Sequence, residues 1–136
     1  MKLFLAATLC LLTFFTQAEE RKYEPSIQTI VLALPATGVS VTLSPPDKVK
    51  LKVPQKPPKE STLKAAEITE LMALATSISK SVKPGPYSHT MKEVYSLYLQ
   101  PDNGLSSFEY SLQPGTDNPM PEALAQLFKK VSRYLK

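Results

Sequence analysis

Val94-Tyr95-Ser96-Leu97-Tyr98-Leu99-Gln100, followed by Pro101-Asp102-Asn103-Gly104 and then Ser107-Phe108-Glu109-Tyr110-Ser111-Leu112, decides the fold class. Tyr95, Leu97 and Leu99 alternate with polar or outward positions, and Phe108, Tyr110 and Leu112 do the same. A period of two marks a strand with one face buried. Four turn-forming residues between two such runs predict a β-hairpin.

Working outward, Pro121 opens a second kind of pattern. Leu124, Leu127, Phe128, Val131 and Leu135 recur at helical spacing, with Lys129, Lys130, Arg133 and Lys136 gathered at the C-terminal end, where cations favour the helix dipole. Proline suits a first helical position because its missing N–H has no partner there in any case. Upstream of the hairpin, Ile68, Leu71, Met72, Ala75 and Ile78 form the stripe of another amphipathic helix, capped by Ser61 or Thr62 and running to about Lys80. The segment from Val82 to Met91, with Pro84-Gly85-Pro86 and the only histidine, His89, reads as a polar loop.

The N-terminal half is strand-like. Thr29 to Leu34 is apolar and partly β-branched, Pro35-Ala36-Thr37-Gly38 has turn chemistry, and Val39, Val41 and Leu43 alternate with Ser40 and Thr42. Lys48 to Val53 alternates again, with Val49, Leu51 and Val53 on one face and Lys48, Lys50 and Lys52 on the other. Pro54 to Glu60 reads as a rigid connector. The chain has 13 prolines, most of them at such boundaries, which punctuate structure without implying disorder. The order of strands, helix, hairpin and helix predicts an α+β fold: a single antiparallel sheet of four to five strands with two amphipathic helices packed on one face.

The first 18 residues carry a different signal. Lys2 precedes the apolar run Leu3–Phe15, and Thr16-Gln17-Ala18 offers small residues where a signal peptidase cuts. The run falls short of the about 20 apolar residues of a confident membrane span; a retained N-terminal anchor is the alternative. Residues 1–18 are therefore expected to be a signal peptide and 19–136 a single domain, exported to the periplasm or the medium, with no stable membrane anchor after cleavage. Cys10, the only cysteine, leaves with the signal, and its Ala7-Thr8-Leu9 context is not that of a lipidated cysteine. The exported chain then has no disulfide, and it has no Asn-X-Ser/Thr acceptor.

Several function classes fit poorly. One histidine and no mature cysteine leave too few ligands for the usual zinc or copper sites. Ser88 next to His89 does not make a nucleophile–base pair, since adjacent residues rarely place both groups, and no oxyanion-hole signature surrounds them. The carboxylates Glu67, Glu70, Glu93, Asp102, Glu109, Asp117 and Glu122 lie on expected surfaces and turns without a pairing pattern. The four glycines form no phosphate loop, and a formal charge of +4 lacks the clustering of a nucleic-acid binder. No enzyme, cofactor or metal is expected.

Tyr95-Ser96-Leu97-Tyr98-Leu99, a turn with Gly104, Phe108-Glu109-Tyr110 and then Met120-Pro121-Glu122-Ala123-Leu124 with Leu127 resemble the emfourin-like small proteins of the protealysin-inhibitor type. The founding member of that family is a proteinaceous inhibitor of a thermolysin-type metalloprotease. The resemblance covers about forty residues of the C-terminal half and implies a hairpin, a helix, a second hairpin and a final helix beginning at a Pro-X-X-Leu segment. Pro35–Gly38 occupies the place of the family's glycine-rich segment without reproducing it, and the lysine strand and proline-rich connector look like additions.

The expected function is a non-catalytic, exported protein-binding module, with inhibition of an extracytoplasmic protease as its sharpest form. Its contact would be the tip Pro35, Ala36, Thr37 and Gly38, where a proline-stiffened turn loses little entropy on binding. The alternative is an envelope-associated module that binds an anionic polymer through Lys48, Lys50 and Lys52. Against that alternative stands the common use of lysines to guard an edge strand.

Overall fold

The computed structural model describes residues 26–101, 106–115 and 117–135. The expected signal peptide and the Asp102-Asn103-Gly104 turn lie outside the described residues. Seven strands form one sheet: β1 Ile27–Leu34, β2 Val39–Ser44, β3 Lys48–Lys52, β4 Lys59–Thr62, β5 Gly85–His89, β6 Tyr95–Pro101 and β7 Phe108–Pro114. Their order across the sheet is β4-β3-β2-β1-β6-β7-β5. Among the described residues two helices, α1 Ala65–Ser81 and α2 Glu122–Ser132, accompany the sheet, and a 3₁₀ turn, Arg133–Leu135, extends α2.

The α+β class holds, but the expected sheet of four to five antiparallel strands is overturned. Seven strands are present, and β5 runs parallel to β7 while every other pair is antiparallel. The two extra strands come from segments read as connector and loop. β4 includes Ser61 and Thr62, so neither caps α1; that helix starts after Lys64, whose side chain provides no cap. Lys59-Glu60-Ser61-Thr62 is exposed at all four positions, so no apolar alternation announces it. It forms because β3 offers an unpaired row of backbone groups. β5 holds Pro84-Gly85-Pro86 at and beside its start, a breaker signal that the parallel pairing of Gly85 to His89 with Tyr110 to Pro114 overrides.

One face of the sheet carries the core. Ile30 and Leu32 of β1, Val41 and Leu43 of β2, Leu97 and Leu99 of β6, and Tyr110 and Leu112 of β7 are fully buried. They join Ile68, Ala75 and Ile78 of α1 and Leu124, Leu127 and Val131 of α2 in a single cluster. Each such side chain contributes about 1.5–3 kcal/mol through burial before ordering entropy is subtracted. The helical stripes fall as expected, except that Leu135 is half-buried in the 3₁₀ turn. Both helices cover this face. The N–H of Ile27 donates to Thr76 Oγ1 at 3.0 Å, tying the start of β1 to α1.

The two sheet edges are finished differently. On β5, Asn118 donates from Nδ2 to the Pro86 carbonyl at 2.9 Å, and its own carbonyl accepts the Ser88 N–H at 2.7 Å. Pro86 has no N–H to leave open, so one asparagine closes this edge against pairing with another chain. The β4 edge is short and carries Lys59 and Glu60.

Candidate functional site

His89 ends β5 with its ring on the helix-covered face. Its Nδ1 accepts the Met91 N–H at 2.9 Å, and its Nε2 lies 3.0 Å from the Leu112 carbonyl oxygen. A carbonyl only accepts, so the proton sits on Nε2 and the imidazole is held as one neutral tautomer. The ring stacks on Phe128 at 6.0 Å and meets Tyr95 edge-on at 5.7 Å, and Tyr95 and Phe128 meet at 4.8 Å. The expectation of a solvated loop histidine is therefore corrected: His89 is half-buried, and both ring nitrogens have partners.

This aromatic cluster forms the floor of an open furrow. The segment Thr90 to Val94 turns away from β5, and Met91 is 45% and Val94 41% exposed. Across from Met91, α2 presents Ala125, Phe128, Lys129 and Ser132 along one side, and Pro119 and Met120 close the far end. The resulting groove of about 570 Å³ continues past Met91, Lys129 and Ser132 into a second depression of about 450 Å³ lined also by Leu34, Glu93, Tyr95, Arg133 and Leu135. The walls are mostly apolar, and the cations Lys129 and Arg133 stand along the α2 side.

Glu93 is the carboxylate in the furrow wall, and it accepts the Tyr95 hydroxyl proton at 3.1 Å. Burial of the Tyr95 phenol raises its pKa, and the hydrogen bond and negative charge of Glu93 push in the same direction. Deeper in the core the Tyr110 phenol is pushed up to about 12, first by burial and then by Tyr87 beside it. Tyr110 donates to the Val82 carbonyl at 2.9 Å, and Tyr87 to the Lys83 carbonyl at 2.6 Å. These two phenols fasten the end of α1 to β5 and β7.

The Pro35-Ala36-Thr37-Gly38 turn stands at the Leu34 end of the furrow, exposed throughout. The Thr37 and Gly38 N–H groups both donate to the Leu34 carbonyl, at 3.2 and 2.8 Å. Gly38 has φ +74°, and a Cβ placed on it would stand 2.9 Å from Pro54 Cγ. Only glycine fits there, and Pro54 braces the turn from behind. Lys48, Lys50 and Lys52 are exposed too, but they project from the opposite side of the sheet. Leu34, immediately before the turn, lines the furrow, while the lysine column stands on the other face of the sheet.

Met91, Met120, Phe128, Lys129 and Arg133 escaped sequence reasoning because three of the furrow's walls come from distant segments. A partial signal exists: Ala125, Lys129 and Ser132 share one side of a helix whose other side is core, and Met91 and Val94 are apolar residues in a polar stretch. No protein-family model matches the chain, and no curated protein sequence matches it. Among the described residues no group of three or more His, Cys, Asp or Glu is placed to hold a metal ion, and no helix is long and apolar enough to cross a membrane.

Proposed function

We propose that this protein is a non-catalytic, exported protein-binding module that seats a short apolar segment of its partner in the furrow. The observation that carries this reading is the exposed Met91 side chain at the junction of the two depressions, between an aromatic floor and the cations of α2. Apolar surface left open beside a formed groove is the usual mark of an interaction site. Lys129 and Arg133 select the partner's chemistry: apolar anchors with neighbouring Asp or Glu. The braced Pro35–Gly38 turn extends the same surface at low entropic cost.

Selection of peptides from a random library on the immobilised chain from Glu19 to Lys136 tests this. Enriched peptides are expected to pair apolar anchors with acidic residues and to lose binding to Ala125→Arg, which fills the groove from a helix position that tolerates arginine. Peptides that bind Ala125→Arg equally well, or no enrichment at all, sink the reading. The inhibitor form rests on the resemblance of the C-terminal half to emfourin-like proteins. Titration of thermolysin activity with the chain checks it, and inhibition that survives replacement of Ala36 and Thr37 by glycine removes the turn as the contact.

A further inference from the structure

The sheet face turned away from the helices has its own organisation. One row of paired residues runs through six strands: Lys52, Ser40, Ala33, Ser96, Ser111 and Pro86. The row beside it is Glu60, Lys50, Thr42, Val31, Tyr98 and Glu109. Ser40, Ala33, Ser96 and Ser111 make the middle of the first row a line of small side chains beside Tyr98, and Gln113 Nε2 donates to Ser111 Oγ at 2.8 Å. An antiparallel sheet face left uncovered by the described residues needs polar side chains toward water, and that accounts for most of the hydroxyls.

Two features go beyond that need. Ser96 is only 8% exposed although it points to the uncovered face, and its hydroxyl has no hydrogen-bond partner among the described residues. Buried hydroxyls are normally paired, and each exception calls for a reason. The lysines are the second feature. β3 is hydrogen-bonded on both sides, to β2 and to β4, so Lys48, Lys50 and Lys52 do not guard an edge. They stand about 6.6–6.8 Å apart on one side of the strand, opposite Ser44, Thr42 and Ser40 respectively. None forms an ion pair with a carboxylate among the described residues.

From this arrangement we infer that this face binds an extended acidic polysaccharide, laid across the strands along the line of small side chains. The lysine column takes carboxylate or sulfate groups at one end, where Glu60 stands opposite Lys50 on the neighbouring strand. Ser40, Ser96, Ser111 and Gln113 meet sugar hydroxyls, and the Tyr98 ring offers an apolar platform whose hydroxyl has no partner among the described residues. From β3 to β7 the track is roughly 19 Å long at about 4.8 Å per strand, enough for several sugar units. An acidic peptide would instead want apolar anchor pockets or an open strand edge, and the row runs across strands paired on both sides.

The test is fluorescence anisotropy with a labelled oligogalacturonate, compared with polyglutamate and a neutral dextran of matched length. The oligogalacturonate is expected to bind best, dextran not measurably, and affinity to fall as ionic strength rises from about 0.01 to about 0.1 M and the screening length shrinks from about 30 to about 10 Å. Replacing Lys48, Lys50 and Lys52 together by glutamine should weaken it on the order of tenfold. Ser96→Val puts a bulkier apolar side chain in the row and should abolish the preference for the uronate over polyglutamate; Tyr98→Ala, at a half-buried position, makes the same point if Ser96→Val does not fold. Ala125→Arg leaves this binding unchanged, which separates it from the furrow. Absence of oligogalacturonate binding overturns the inference. So does polyglutamate binding as tightly with neither variant changing the ratio, because the face is then only a diffuse cationic field.

Discussion

The two faces of the sheet are built from the same strands by opposite rules. On the helix-covered side, Leu97 stands between Leu32 and Tyr110, whose hydroxyl donates to the Val82 carbonyl. On the other side Ser96, the preceding residue, stands between Ala33 and Ser111, and its hydroxyl has no partner among the described residues. Stability resides on the first face, so the second is free to vary for recognition. The furrow lies at the rim of the covered face, where the aromatic cluster of His89, Tyr95 and Phe128 meets solvent.

Adjacent substitutions give the sharpest break of this contrast. Leu97→Ala should cost about 2–5 kcal/mol in urea unfolding, from lost transfer energy and the cavity left behind. Ser96→Ala should change stability by no more than about 0.5 kcal/mol, since the hydroxyl it removes had no partner to lose. Equal costs at both positions would mean that the open face is structural as well.

His89 probes the rim between the faces. His89→Ala leaves the Met91 N–H and the Leu112 carbonyl without their partners and removes two ring contacts, so a loss of about 1–3 kcal/mol is expected. The same variant should loosen amide protection at Met91 in hydrogen exchange while leaving β1 to β3 unaffected. Uniform loss of protection would show that His89 supports the whole core rather than the furrow wall.

Tyr110 gives a smaller effect than His89 at neutral pH and a distinct one in alkali. Its folded pKa is raised from 10.0 to about 12, so the native state holds the proton more tightly than the unfolded chain. The associated stability is complete below pH 10.0 and is lost as pH rises through about 12. Tyr110→Phe is expected to cost about 1 kcal/mol at pH 7 through the lost bond to Val82, and to flatten the decline in alkaline unfolding curves. A decline of unchanged steepness would place the titrating group elsewhere.

Much of the covered face was legible in the sequence because burial writes itself as periodicity. The alternation at Tyr95-Leu97-Leu99 and Phe108-Tyr110-Leu112 located β6 and β7, and the stripes Ile68 to Ile78 and Leu124 to Val131 located both helices. Tyr98 was recognisably out of phase with its neighbours. β4 and β5 were not legible for opposite reasons: Lys59–Thr62 buries no side chain, and Gly85–His89 carries the residues that ordinarily break strands. Each is held by backbone pairing to a neighbour already in place, which leaves no trace in local composition. The furrow was hidden because Leu34, Met91, Met120 and Lys129 are far apart in the chain and meet only after the sheet closes.

The sequence by itself determined that this chain folds as α+β, which residues face the core and where the proline-stiffened turn lies, since these follow from side-chain period and turn chemistry. Tertiary structure alone decided the number of strands, the parallel placement of β5, the neutral tautomer of His89 and the interior position of the lysine strand. Those depend on which backbone groups and ring nitrogens find partners across the sheet, a matter of three-dimensional pairing that no local pattern encodes.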